Sequence, residues 1–161
     1  MKDTKDLRTR IREGEVVLHA MLRLPDPAIA EIIALSGVDY ITVDNEHFGF
    51  NDETILNIIR AANLHGVPCM VRVTNLEPEY ISRIMDMGAI GVLAPQVDSY
   101  EEALQVVKAV KFAPEGTRGF CPISRAASFG YGIDPIAYAR EMNQKTIVGL
   151  MIESKAGIED L

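Results

Sequence analysis

Residues 40–50 read YITVDNEHFGF. The first four form an apolar, β-branched run of the kind that fits a pleated, buried strand. Asp44, Glu46 and His47 follow almost at once, with Gly49 behind them. A buried strand that ends in three ionisable side chains is costly unless its end opens onto a site that uses them.

The same pattern recurs on either side. Apolar, β-rich runs occupy 16–22, 39–43, 68–73, 89–94 and 146–152. They are near-continuous rather than alternating, as expected for parallel strands buried on both faces. Helical patterns separate them. Pro27–Leu35 has Asp26 as N-cap and Gly37 as a stop. The 52–65 segment places Ile55, Ile58, Ile59 and Ala62 on one face and ends at Gly66. The 78–87 segment opens with proline and stops at Gly88. In 99–110, Ser99 and Glu102 form a capping box.

This order predicts an α/β fold with a parallel sheet and right-handed crossovers. A longer segment, 111–131, is rich in Gly, Pro, Ser and Arg and breaks the rhythm, as functional or mobile loops do. A doubly wound open sheet and a TIM (β/α)8 barrel both fit the alternation. A barrel needs eight strands and typically ~250 residues, so about five strands cannot close one alone. No G-x-G-x-x-G or G-x-x-x-x-G-K-[ST] segment supports a nucleotide fold.

With 161 residues, 48% hydrophobic and 24% charged, the chain has enough core for one domain spanning 1–161. The formal net charge of -7 argues against a nucleic-acid or anionic-membrane partner. Cys69 and Cys121 lack the density of a disulfide scaffold and the spacing of a zinc site. No run approaches the roughly 18 apolar residues of a membrane span. The N-terminal MKDTKDLRTRIREGE has no apolar h-region and reads as a solvated helix. A reduced, cytoplasmic protein is expected.

Polar residues cluster at the strand ends: Asp44, Glu46 and His47 after the second, Arg72 after the third, Pro95 and Gln96 after the fourth, Glu153 after the fifth. In a parallel α/β fold these ends share one edge, where ligands bind. Each also has a structural reading. His47 satisfies a turn or caps a helix. Asp44 receives backbone N–H groups. Arg72 pairs with Asp44 or Asp86. Glu153 caps the helix that begins at Lys155. For Glu46, an outward position in solvent or beside a neighbouring helix is the preferred reading.

Together the residues suit one chemistry. Asp44 is near enough in sequence to orient the His47 imidazole and make it a better base. Arg72 offers a permanent forked cation for a carboxylate or enolate oxygen. Glu153 can bind a hard divalent cation. Such a set serves proton abstraction beside a carbonyl, or carbon–carbon cleavage to an enolate. No lysine lies at these strand ends, and a Schiff-base aldolase would need one.

The stretches LPDPAIAEIIALSGVDYITVDNEH, VPCMVRVTN, MDMGAIGVLAPQVDSYEEA, APEGTRGF and MIESKAGIEDL resemble, in order, the HpcH/HpaI family of metal-dependent pyruvate aldolases. The resemblance implies a (β/α)8 barrel of which this chain supplies about five βα units. It implies reversible cleavage of a 4-hydroxy-2-oxo acid to pyruvate, or an analogue, and an aldehyde, through a metal-stabilised enolate. Asp44 and His47 would form the orienting and base-forming pair, through a metal-bound water. Arg72 would hold the oxo or enolate oxygen, with Gln96 and Arg118 also meeting the substrate. Arg118 lies in a Gly–x–Arg–Gly loop expected near the site's mouth. Glu153 would be one of two carboxylate ligands to Mg²⁺ or Mn²⁺, with Co²⁺, Zn²⁺ and Ni²⁺ as alternatives. A small oxo acid as partner and a homo-oligomer are implied too.

The sequence departs from the family at two points. Met151 stands where members often carry Gln. The second carboxylate ligand, in a Gly–x–Asp segment after the next strand, lies beyond Leu161, so the chain reads as an N-terminal five-eighths of a barrel. Two other readings are kept: a truncated, non-catalytic binding or assembly module with open sheet edges, and a citrate-lyase-like acyl lyase.

Overall fold

The computed structural model describes residues 6–160. Five strands alternate with helices: β1 (His19–Leu22), β2 (Tyr40–Asp44), β3 (Cys69–Arg72), β4 (Gly91–Ala94) and β5 (Ile147–Leu150). The helices are α1 (Leu7–Arg12), α2 (Pro27–Leu35), α3 (Asp52–Leu64), α4 (Pro78–Asp86), α5 (Tyr100–Val110), α6 (Pro135–Lys145) and α7 (Lys155–Glu159). All pairings are parallel, and the spatial order is β1-β2-β3-β4-β5. That order chooses between the two architectures. A doubly wound sheet reverses its strand order at a switch point. Here each strand follows its predecessor in one sense, the winding of a β/α barrel.

The core lies between the sheet and its helices. Ile41, Val43, Cys69, Val71, Val92 and Ala94 project from the strands into it, against Ile55, Ile58, Ile59, Ile81, Ile84 and Val106. Alternate residues point to the other face, so Thr42, Asp44, Met70 and Arg72 stand outside that apolar cluster. β2 and β3 have neighbours on both sides and are buried from Ile41 to Asp44 and from Cys69 to Arg72, whereas the terminal strands β1 and β5 are mostly half-buried or exposed.

Helix boundaries follow the capping signals. Asp26, Asn51 and Ser99 side chains accept N–H groups in the first turns of α2, α3 and α5. The capping box is shifted by one residue, since Glu102 Oε2 accepts the N–H of Asp98 rather than that of Ser99. Beyond α4, Gly88 takes φ 97°, a left-handed conformation that glycine reaches without strain.

The structure departs from expectation at the start of β1 and at α6. β1 starts at His19 rather than 16, because Val16 and Leu18 are 84% and 60% exposed and meet no core. The solvated N-terminal helix is present as α1, and residues 1–5 of that expectation lie outside the described residues. α6 was not expected. Its start signal is sound, with the Asp134 side chain accepting from Ala137 N and proline in the first turn, but its one buried residue is polar Asn143. Among the described residues, no helix is long and apolar enough to cross a membrane.

Candidate active site

The ladder register itself builds the site. Asp44 and Arg72 are Cα partners, the last residues of β2 and β3. Period-2 alternation has already turned both away from the helix-side core. Asn45 extends the register, donating its N–H to Arg72 O at 3.0 Å, and its side-chain amide donates to Tyr80 Oη at 2.6 Å. The turn that follows β2 is thereby tied to α4.

Asp44 is 1% exposed, and neither carboxylate oxygen has a hydrogen-bond partner. Among the described residues, it pairs with Arg72 Nη1 at 3.6 Å and Arg23 Nε at 3.5 Å. Burial of a carboxylate without hydrogen bonds is unfavourable, so this is a place where positive charge or donors would be gained.

Glu46 does not point to solvent. Its side chain is 10% exposed and forms an ion pair with Arg72 Nη2, while Oε1 accepts from Gln96 Nε2 at 3.3 Å. Inside the ring of strand ends, Glu46 meets the arginine that Asp44 or Asp86 was expected to hold, and Asp86 pairs with Arg118 instead. His47 is 60% exposed. Its Nε2 lies 3.3 Å from Arg72 Nη2 and 3.5 Å from Glu46 Oε2. A guanidinium can only donate, so in this contact Nε2 accepts and the ring proton sits on Nδ1. The expected Asp44–His47 pair is not formed. The turn carries the imidazole outward, past the edge, while Asp44 stays buried in the ladder.

Gln96 follows β4 with φ 52°, a left-handed backbone on a non-glycine residue that costs roughly 1–3 kcal/mol. Two backbone bonds clamp it to β5: Met151 N–H donates to Ala94 O at 2.9 Å, and Val97 N–H to Met151 O at 3.0 Å. Its own N–H donates to Glu153 Oε2 at 3.0 Å. Glu153 does not cap α7, because Ser154 Oγ accepts from Gly157 N–H in that role. Glu46, Pro95 and Gln96 line a cavity of about 250 Å³ with Thr74, Asn75 and Leu76.

Asp44 thus lies beside the Arg72 and Arg23 guanidiniums and Glu46 pairs with Arg72, while Glu153 joins them only through Gln96. The excess of negative charge, with oxygen donors only, suits a hard divalent cation. Among the described residues no three His, Cys, Asp or Glu side chains are grouped to hold one.

Arg118 is not brought to this edge. It packs beneath the C-terminal end of α5, where its N–H donates to Lys111 O at 3.0 Å. Its side chain pairs with Asp86, the last residue of α4, at 2.5 Å and lies 4.5 Å over the Phe112 ring. Crossover helices run antiparallel to the strands, so these helix ends sit at the opposite edge of the sheet. The expectation that Arg118 meets substrate near the mouth is corrected within this chain. Arg23 was overlooked, although it follows the first strand directly and obeys the same strand-end rule as the others.

The HpcH/HpaI aldolase/citrate lyase profile matches residues 20–161. A hydroxypyruvate/pyruvate aldolase of Roseovarius nubinhibens is 32% identical over 162 residues, covering 98% of this chain and 61% of that protein. The crystal structure of an HpcH/HpaI aldolase from Desulfitobacterium hafniense superposes with TM-score 0.88 at 28% identity, over 96% of this chain and 60% of that one. The citrate synthase SbnG superposes with TM-score 0.83 at 32% identity, over 96% and 58%. The chain spans about three-fifths of the length of these relatives. With the family's profile matched over all but the first nineteen residues, and with sequential parallel strands whose polar ends meet at one edge, this chain belongs to the HpcH/HpaI aldolase/citrate lyase family.

Proposed function

We propose that the full-length protein reversibly cleaves a 4-hydroxy-2-oxo acid to pyruvate, or a close analogue, and an aldehyde. The observation that carries this reading is the buried Arg72 fork, set beside Asp44, Glu46 and His47 at the mouth of the sheet. His47, with its proton on Nδ1, has a lone pair on Nε2 that takes the proton of the substrate 4-hydroxyl. The C3–C4 bond then breaks. Its electron pair moves onto the 2-oxo carbonyl to leave an enolate, and the C4 oxygen becomes the aldehyde. Arg72 holds the enolate oxygen. Return of that proton from the His47 imidazolium to C3 gives pyruvate and restores the neutral ring. Asp44 balances the Arg72 charge, and the Gln96 amide orients the oxo acid. A divalent cation, Mg²⁺ or Mn²⁺, would be held through Glu153 and supplies Lewis-acid polarisation of the oxo-acid carbonyl.

The relatives named as aldolases support this reading. Pyruvate release from a 4-hydroxy-2-oxo acid, assayed with and without EDTA, tests it. Metal-independent cleavage, or none with any such acid, counts against it. The likeness to a citrate synthase supports a second reading, carbon–carbon bond formation with a polycarboxylate acceptor. Citrate formation in the same preparation, without pyruvate release, would favour that one. A homo-oligomeric, cytoplasmic enzyme is part of the same proposal.

A further inference from the structure

Glu46 has no part in the reaction just described, yet it touches Arg72, Gln96 and His47. One oxygen faces Arg72 Nη2, and the other accepts from Gln96 Nε2 at 3.3 Å. Gln96 is itself held in a left-handed conformation with its N–H on Glu153 Oε2 at 3.0 Å. A continuous line, Arg72–Glu46–Gln96–Glu153, therefore joins the ends of β2, β3, β4 and β5 beside the 250 Å³ cavity. Glu46 Oε2 meets Arg72 as an ion pair without a hydrogen bond, and Arg72 Nε is buried with no hydrogen-bond partner.

We propose that Glu46 is a positioning residue that locks the Arg72 guanidinium and the Gln96 amide at the spacing an enolate oxygen requires. The assignment rests on the aldolase reading. The physical reason is preorganisation. An arginine pinned at one nitrogen surrenders its rotamer freedom before the oxyanion arrives, so binding the developing charge no longer has to remove it. A carboxylate does this for two partners at once because each oxygen serves one. Aspartate keeps the charge but is a methylene shorter and cannot span both. Glutamine keeps the length but has one acceptor oxygen, so it retains one arm only.

The test uses the full-length protein loaded with Mn²⁺, with oxalate as a planar mimic of the pyruvate enolate. Glu46→Asp is expected to lower kcat about 10–100-fold with KM within about 3-fold, and to weaken oxalate binding about 10-fold by calorimetry. Mn²⁺ affinity, read by EPR, should stay within about 3-fold of wild type. Glu46→Gln should fall between. Gln96→Ala should show a smaller loss, and the Glu46→Asp/Gln96→Ala double variant should lose less than the two losses combined. Wild-type kcat and oxalate affinity in Glu46→Asp overturn the proposal. So does a parallel loss of Mn²⁺ affinity, which makes Glu46 a ligand, or a fall in activity that only tracks unfolding. If Glu46→Asp does not fold, full additivity of Glu46→Gln with Gln96→Ala overturns it. A wild type that binds oxalate but cleaves no hydroxy-oxo acid sinks the aldolase reading alone, and the oxalate comparison still judges Glu46. One that binds Mn²⁺ but not oxalate sinks both.

Discussion

At the N-terminal edge of the sheet, the Lys111 ammonium is 6% exposed and donates to Asn143 O, Thr146 O and Thr146 Oγ1 at 2.6–2.9 Å. Asn143 closes the same knot, its amide exchanging two bonds with the Phe112 backbone. Every donor of this knot has an acceptor, although Arg118 Nε and Nη1 at the same edge are buried without one. The Lys111 cation sits at the C-terminal end of α6, where the helix dipole favours it. Burial still pushes Lys111 down to about 8. At the C-terminal edge, Asp44 is buried as deeply with no hydrogen bond at all, and Arg72 Nε likewise. The Lys111 knot uses its buried charge to hold loops onto the sheet. The strand-end cluster keeps the Asp44 oxygens and Arg72 Nε unsatisfied, ready for something that is not protein. A ligand adds nothing to a satisfied network, but gains from every group left waiting.

Several substitutions would break or sharpen that contrast. The largest effect is expected from Arg72→Lys, which keeps a cation but loses the fork. Loss of one oxyanion donor is typically ~10²–10³-fold in kcat, and that is the expectation here, with the thermal midpoint within about 5 °C. A shift beyond about 10 °C would place Arg72 with the structural charges instead. Lys111→Met should do the reverse. Stranding three buried acceptors costs roughly 2–4 kcal/mol, which for this size means about 6–12 °C in the melting midpoint. Activity per folded molecule should be unchanged, and a selective kcat loss would blur the division between the two edges. Glu153→Ala should weaken metal binding about 10-fold or more before it affects folding, read by Mn²⁺ titration alongside a melt.

Arg118→Met decides which edge that arginine serves. Stability should fall as Asp86 loses its partner, while KM for the oxo acid stays within about 3-fold. A large KM rise would return Arg118 to the substrate. The smallest effect belongs to Cys69, whose thiol burial pushes up to about 12. A raised folded value stabilises below the ordinary thiol pKa, and that stabilisation is lost as pH rises from about 9 towards 12. The melting midpoint of wild type should therefore fall more steeply over that window than that of Cys69→Ala. A thiol reagent should reach exposed Cys121 in the native protein, and buried Cys69 only after denaturation.

Much of the fold was legible because its signals are local. Apolar runs, an Asp or Ser before a helix and a Gly after it act within a few residues. α6 was missed because its buried residue, Asn143, carries no apolar periodicity and its role depends on the remote Phe112 and Lys111. The strand-end rule located Asp44, His47, Arg72, Gln96 and Glu153, since in any parallel sheet those ends share an edge. It could not say which of Asp44 and Glu46 would meet which partner. Both lie within three residues of His47, and only the turn geometry separates them.

Sequence alone therefore determined the class of fold and the set of polar residues at one edge, because periodicity and strand direction are properties of contiguous chain. The tertiary structure decided the winding of the sheet, through the spatial order of strands far apart in sequence. It also decided that Glu46 rather than Asp44 sits beside His47, that Arg118 pairs with Asp86 at the opposite edge, and that Gln96 is strained between two carboxylates. Each of these depends on the register between different strands or helices, and register is fixed only when the apolar faces of the whole sheet are packed at once.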